Sequence, residues 1–155
     1  MKNNYNTNKS SKEEFLERIT SIEERMLESL KGTLVEGLVP TVVSCKFERG
    51  VVDFKFSVKA TMRNSMGIVH GGIISTLLDN AMGMVSSSFI KRGWTPTVNL
   101  QVSYLKPVQP QGVIHISVRI ISSGRTFINT AAELWEEGKP ERVLVSATGI
   151  FYIKE

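Results

Sequence analysis

The segment from Asn64 to Phe89 constrains this chain most strongly, because from Gly71 onward it reads as a long helix that is apolar around most of its circumference and that Lys91-Arg92-Gly93 ends. Its apolar positions are Ile74, Leu77, Leu78, Ala81, Met82 and Val85. A helix of this kind is buried rather than laid on a wet surface. A narrow stripe of small and polar residues recurs at helical spacing, and comprises Ser75, Thr76, Asp79, Gly83 and Ser86. Asp79 is the only carboxylate of the helix, and a buried carboxylate needs a partner or a chemical task.

The approach to this helix is polar and contains Asn64, followed by His70-Gly71-Gly72. A helix N-terminus presents unpaired N–H groups and the positive end of the helix dipole. Glycine at that point lets an oxygen of another molecule approach the backbone. The segment therefore predicts an oxyanion-type donor at its start and a carboxylate, Asp79, two turns later. Each feature alone also fits a buried helix with one satisfied aspartate.

The spacing between Gly71 and Asp79 indicates a site built from two chains. The two residues are eight positions apart, which is about 12 Å along a helix axis. One substrate carbonyl cannot touch both groups of the same chain at that separation. Antiparallel central helices related by a two-fold axis would bring the donor of one chain to the carboxylate of the other, and would create two equivalent sites.

An amphipathic helix is predicted ahead of the main fold. Residues 1–10 are polar and are expected to form a disordered tail. Ser11 and Glu14 form a capping-box pattern, and apolar residues then recur at helical spacing over 11–34. Residues 35–155 form the main domain.

Strand patterns flank the apolar helix, two before it and four after it. The first is expected over 41–48, and residues 52–58 then alternate between apolar and polar. The order of helix, two strands, buried helix and four strands predicts an α+β fold in which a curved antiparallel sheet wraps around one long helix. The four consecutive strands, joined by short turns, predict an antiparallel meander.

Composition excludes several classes of protein. The 155 residues suit one domain, and the net charge of +4 is scattered without a basic run, so nucleic acid is not an expected partner. No segment is apolar and long enough for a membrane span, and the first residues lack the core of a signal peptide. The single Cys45 fits a reducing compartment, so the cytoplasm is expected. Cys45, His70 and His115 show no metal-ligand spacing, so no metal is expected.

Asn64, His70-Gly71-Gly72, Asp79 and a following Thr97 resemble the PaaI-like acyl-CoA thioesterases of the hotdog-fold thioesterase superfamily. The likeness extends over roughly residues 35–153. It continues through Leu105-Lys106-Pro107, Ser123-Gly124-Arg125 and Ala147-Thr148-Gly149. The resemblance implies hydrolysis of an acyl- or aryl-acyl-CoA to the free acid and CoA, with the acyl group left open.

The resemblance also implies catalytic roles. The Gly71 N–H would polarise the thioester carbonyl, and Asp79 of a partner chain would act either as nucleophile or as general base. Asn64 and His70 would order the loop and position water or the leaving sulfur. Thr97 would hold the water or Asp79.

Substrate binding is implied for a second set of residues, namely Val69, Gly72, Lys106, Ser123, Gly124 and Arg125. Arg125 and Lys106 would meet the phosphates of CoA, although each is equally well explained as a solvated cation. No cofactor is expected apart from CoA as part of the substrate. The resemblance further implies a homo-oligomer, a tetramer made of two dimers.

Two other functions remain open at this stage. A non-catalytic hotdog protein could sense acyl-CoA without hydrolysing it, but such proteins tend to lack the helix carboxylate, which is present here as Asp79. A hydratase acting on enoyl thioesters would use a different arrangement of aspartate and histidine, which this chain does not contain.

Overall fold

The computed structural model describes residues 9–154, and within them the helices and strands follow the predicted order. The helices are α1 (Lys12–Ser29) and α2 (Gly71–Phe89). The strands are β1 (Thr41–Lys46), β2 (Val51–Ser57), β3 (Thr97–Tyr104), β4 (Val113–Ser123), β5 (Phe127–Glu136) and β6 (Val145–Tyr152). Strand β1 is shorter than expected, because Phe47–Arg49 form a 3-10 turn. Most of the expected disordered tail, residues 1–8, lies outside the described residues.

The six strands form one antiparallel sheet in the order β1-β2-β4-β5-β6-β3. The predicted meander holds for β4 to β6 but is wrong for β3, which pairs with β6 while β4 pairs with β2. The connection from β3 to β4 therefore crosses the sheet, and it carries Pro107 and Pro110. Its buried Val108 accepts the Val69 N–H at 2.9 Å, which anchors it beside the start of α2. Strand β3 ends the order, so one of its edges has no strand partner within residues 9–154.

Helix α2 lies against the sheet and fills the core. Its side chains Leu77, Leu78, Met82 and Val85 are fully buried, and it contacts β3, β4, β5 and β6. Burying one such side chain stabilises the fold by about 1.5–3 kcal/mol. The predicted α+β architecture of a curved sheet around one long buried helix is confirmed. No helix of residues 9–154 combines the length and apolar character that crossing a membrane requires.

The apolar side chains of β3 are only partly covered within one chain. Leu100 and Val102, at the middle of the strand, are half-buried. Val98 is 57% exposed and Tyr104 is 51% exposed, and the register with β6 shifts between Thr97 and Asn99. Strand β3 thus presents apolar side chains beside its unpaired edge.

Helix α1 begins at the predicted capping box. Ser11 Oγ accepts the Glu14 N–H at 3.2 Å, and the Glu14 carboxylate accepts the Ser11 N–H at 2.7 Å. The helix ends at Ser29, earlier than the boundary expected at residue 34. Ser10, which was assigned to the tail, is buried and donates its N–H to Phe89 O at 3.0 Å.

Arg18 joins α1 to the C-terminal end of α2. Its guanidinium donates to Ser87 O at 3.1 Å and to Lys91 O at 3.0 Å. Carbonyls at a helix C-terminus have no partners within the helix and carry partial negative charge. Arg18 of the other helix therefore supplies a cation at this end of α2.

Candidate active site

Asn64 orders the loop that leads into α2. Its side-chain oxygen accepts the N–H groups of Met66 at 2.9 Å and Ile68 at 3.4 Å, and its own N–H donates to Ile68 O at 2.8 Å. Gly67 completes the turn with a φ of +78°, a conformation that glycine adopts without strain. These contacts hold the backbone immediately before His70 in one conformation.

His70 is the N-cap of α2, and its ring takes the place of the usual short polar side chain. Nδ1 accepts the Gly72 N–H at 2.9 Å, so the proton of a neutral ring lies on Nε2. The His70 carbonyl accepts the N–H groups of Ile73 and Ile74. The Gly71 N–H has no acceptor among the described residues. It lies at the first position of a 19-residue helix, where the helix dipole is positive. It is therefore available to an oxygen from outside the chain.

A cavity of about 350 Å³ opens beside Gly71. Four of the predicted site residues lie together along its lining, namely Asn64, Val69, Gly71 and Lys106. Most of its other walls are apolar, and they come from the loop before α2, from Ile74 and from the residues that follow β3. The cavity can hold an apolar group next to the free Gly71 donor. Gly72, by contrast, is exposed and lies outside this lining.

Asp79 and Thr97 meet at the opposite end of β3. Thr97 Oγ1 donates to Asp79 Oδ1 at 2.8 Å. The second oxygen, Oδ2, has no hydrogen-bond partner among residues 9–154, and the Asp79 side chain is partly open to solvent. The carboxylate is thus oriented by one donor and keeps one oxygen for a further interaction.

Asp53 shows how a carboxylate with a structural role differs from Asp79. On β2, both of its oxygens accept hydroxyl groups at 2.7 Å, one from Ser44 and one from Ser117. Burial would raise the pKa of Asp53, but these two hydrogen bonds and the charge of Lys46 hold that pKa below its ordinary value.

In the described chain, no group of three or more histidine, cysteine, aspartate and glutamate side chains is arranged to hold a metal.

Gly71 and Asp79 do not meet within one chain. Both lie on α2, with Gly71 as its first residue and Asp79 two turns later, so about 12 Å separates them along the axis. The structure groups Asn64, His70 and Gly71 at one end of β3, and groups Asp79 with Thr97 at the other.

Strand β3 contacts both groups. At its first residue, Thr97 bonds Asp79, and at its last residue, Tyr104 donates its hydroxyl to Gly71 O at 2.9 Å. Sequence reasoning assigned no role to Tyr104 and missed this contact. The Ser75 hydroxyl lies 2.5 Å from the Tyr104 hydroxyl. The sequence places Ser75 one helical turn after Gly71, but it does not show that Tyr104 is the hydrogen-bond partner of Ser75.

The Ser123-Gly124-Arg125 turn lies at the Thr97 end of the sheet. Beyond this turn, Thr126 O accepts the Ile153 N–H, and the adjacent Tyr152 donates its N–H to Pro96 O. Arg125 is exposed there and takes part in interactions of its own. Lys106 follows Tyr104 at the other end of β3. Within one chain, the two cations implied for CoA therefore lie at opposite ends of the sheet.

Residues 66–143 match the family model of the thioesterase superfamily. This span is just over half of the chain and extends from the loop before α2 beyond β5. Human acyl-coenzyme A thioesterase 13 is 26% identical over 85 residues, which cover 55% of this chain and 61% of that protein. The matched segments span between 19% and 66% of the length of the curated relatives.

Solved structures agree with this match. The Escherichia coli PaaI protein of the phenylacetic acid degradation operon superposes with a TM-score of 0.75 at 14% identity, over 94% of this chain and 97% of that one. A Streptococcus mutans protein bound to acetyl-CoA superposes with a TM-score of 0.65 at 26% identity, over 74% of this chain and 88% of that one. These likenesses confirm the hotdog fold, and the match to the family model establishes that the chain belongs to the thioesterase superfamily.

Proposed function

We propose that the protein hydrolyses acyl-CoA thioesters at a site shared by two copies of the chain. The observation that carries this proposal is the placement of the two candidate groups at opposite ends of one edge strand, with Gly71 beside Tyr104 and Asp79 beside Thr97. The superfamily match and the acetyl-CoA bound to the Streptococcus mutans neighbour support the same class of substrate.

The shared site follows if β3 pairs with itself about a two-fold axis. Pairing through the open edge, centred between Leu100 and Gln101, sets the first residue of the strand opposite its last. Thr97 and Asp79 of one copy then lie beside Tyr104 and Gly71 of the other. The exposed apolar side chains of β3 favour this pairing, because contiguous apolar surface of this kind marks interfaces. Two such sites would form in each dimer.

The chemistry needs few groups because a thiolate is a good leaving group. The carbonyl oxygen would accept the Gly71 N–H, and the helix dipole would stabilise the negative charge that develops on it. As a general base, Asp79 would take a proton from water while the oxygen attacks the carbonyl carbon; the C–S bond then breaks, and the thiolate takes up a proton. As a nucleophile, Asp79 would form a mixed anhydride with release of the CoA thiolate, and water would hydrolyse the anhydride.

The substrate would extend in two directions from this centre. The apolar cavity beside Gly71 suits the acyl group, with a volume of about 350 Å³. The two-fold axis would also bring Lys106 of one copy toward the Ser123–Arg125 turn of the other, so that the two cations lie at one site. The CoA phosphates would then meet charge supplied by both chains.

A panel of acyl- and aryl-acyl-CoAs, followed with a thiol-detecting reagent, tests the proposal. The wild-type protein should release CoA, and Asp79→Asn should lower kcat by about 10²–10⁴-fold, the range for loss of a positioned acid–base group. Asp53→Asn is the matched control, because it neutralises a half-buried carboxylate that is occupied by structural hydrogen bonds. Full turnover in a folded Asp79→Asn protein would contradict the proposed role of Asp79. Acyl-CoA binding by the wild type without release of CoA would contradict hydrolysis and favour a sensor.

A further inference from the structure

Tyr104 connects the end of strand β3 to the first residue of helix α2. We propose that Tyr104, supported by Ser75, is a positioning residue that fixes the backbone of Gly71 so that its N–H points at the substrate carbonyl. This inference rests on the function proposed above, and it assigns a role to two hydroxyl groups that the proposed chemistry does not use.

Three contacts define the arrangement. The Tyr104 hydroxyl donates to Gly71 O at 2.9 Å. A phenol has one proton, and that proton is used in this bond, so the 2.5 Å contact with Ser75 is a hydrogen bond in which the serine hydroxyl is the donor. The tyrosine ring also covers the α-carbon of Gly71, where an added Cβ would lie 3.3 Å from Cζ. The hydroxyl and the ring therefore hold the same residue.

Such support matters at Gly71 because two consecutive glycines, Gly71 and Gly72, give the backbone more conformational freedom than other residues would. Gly71 is the first residue of the helix, and its N–H has no acceptor in the described chain. Glycine has more backbone freedom than any other residue, and helix ends fray. An N–H that stabilises an oxyanion must already point at the oxygen before the reaction, since reorientation during the reaction costs free energy.

Tyr104 can supply this order because its own backbone is held in the sheet. It is paired with Val145 of β6, and the next residue, Leu105, donates its N–H to Leu144 O at 2.9 Å. The hydrogen bond from Tyr104 therefore ties the first residue of α2 to a strand that is paired with β6. The same strand holds Asp79 through Thr97, so the spacing of the donor and the carboxylate across a two-fold axis is set by one rigid element.

Tyr104→Phe tests the role by removing only the hydroxyl. We expect kcat to fall about tenfold with KM within twofold, which is less than the 10²–10³-fold loss caused by deleting an oxyanion donor outright. Ser75→Ala should lower kcat in the same direction by a smaller factor. The double variant should be no slower than Tyr104→Phe, because Ser75 acts through the tyrosine hydroxyl. Tyr152→Phe is the matched control, an exposed strand tyrosine whose loss of hydroxyl should leave kcat unchanged.

Hydrogen–deuterium exchange provides a readout that is independent of activity. Amides at the start of α2, within residues 71–76, should exchange several-fold faster in Tyr104→Phe than in the wild type or in Tyr152→Phe. Unchanged exchange there would overturn the inference, whatever the rates of hydrolysis.

The kinetic results separate this inference from the proposed function. If the wild type hydrolyses acyl-CoA and Tyr104→Phe matches it in kcat, the positioning role is wrong while the thioesterase function stands. A wild type without hydrolysis overturns the proposed function, and the exchange measurement then decides whether Tyr104 still holds Gly71. A fall in Tyr104→Phe activity that is matched by dissociation of the oligomer would also contradict the positioning role.

Discussion

The hydroxyl of Thr97 donates a 2.8 Å hydrogen bond to one carboxylate oxygen of Asp79, across the contact between strand β3 and helix α2. This bond fixes the orientation of the carboxylate and leaves its other oxygen without a partner in the described part of the chain. It also places the carboxylate at the first residue of β3, the strand whose last residue, Tyr104, donates a hydrogen bond to Gly71.

Thr97→Val should therefore reduce turnover without unfolding the protein. Valine keeps the branched shape of threonine but removes the donor, so Asp79 loses its orientation and the stabilisation of its charge. We expect kcat to fall about tenfold, which is less than the 10²–10⁴-fold loss of a positioned acid–base group, because the carboxylate itself remains. The melting temperature should change little, since Thr97 is exposed. Thr148→Val, at another exposed strand position, should keep wild-type kcat, and a Thr97→Val enzyme that is equally active would show that the hydrogen bond is only structural.

Arg18→Ala should destabilise the protein while leaving the turnover of folded molecules intact. The guanidinium satisfies carbonyls at the C-terminal end of α2, far along the helix from Gly71. Its hydrogen bonds involve a charged group, and each such bond contributes about 1.5–3 kcal/mol. Loss of these hydrogen bonds should lower the denaturant concentration at which half of the protein is unfolded. Arg25→Ala, an exposed arginine of the same helix, should shift it by much less. Equal shifts in the two variants would mean that Arg18 does not hold α1 onto α2.

Asp53 should contribute stability that depends on pH. Hydrogen bonds from Ser117 and Ser44 lower the pKa of the folded-state carboxyl below the ordinary value of 3.8. A depressed pKa adds stability that is present above the unfolded pKa and is lost as pH falls through the folded one. Asp53→Asn should therefore melt below the wild type at neutral pH, and the difference should shrink as pH falls below about 4. If the difference in melting temperature between Asp53→Asn and the wild type stayed constant from pH 7 to pH 3, the lowered pKa of Asp53 would not be a source of stability.

The central helix and most of its surroundings were predictable because they depend on local patterns. The apolar positions of Gly71–Phe89 and the alternation over 52–58 determine burial directly, and the capping box of Ser11 and Glu14 is a contact between near neighbours. The grouping of Asp79 with Thr97 was implied only by the family resemblance, since nothing in the spacing shows that residues 18 positions apart meet.

The features that the sequence did not reveal depend on long-range pairing. Strand β3 alternates in the same way wherever it lies in the sheet, so its place beside β6 could not be predicted from residues 97–104 alone. The contact between Tyr104 and Gly71 depends on that placement, as the bond from Arg18 to Ser87 depends on how α1 docks. In each case the side chain is ordinary for its element, and only the tertiary fold gives it a partner.

Two variants test the shared site, because each removes one of its two reacting groups. Asp79→Asn removes the carboxylate function, and Gly71→Pro removes the N–H. Proline is favoured at the first position of a helix, and the extended ψ of 130° at His70 suits a residue that precedes proline. Gly71→Ala is the steric control, because its Cβ meets Tyr104 in the same way while the N–H remains.

Activity of mixed oligomers formed from Asp79→Asn and Gly71→Pro chains tests the central claim most directly. Each variant alone should be nearly inactive. A mixed dimer has one site with the Gly71 donor of the first chain and the Asp79 carboxylate of the second, so random mixing should restore about a quarter of wild-type turnover per chain, as two-fold symmetry requires. Activity of the co-refolded mixture no higher than that of the separate variants, with mixed dimers demonstrated by mass spectrometry, would contradict a site built from two copies of this chain.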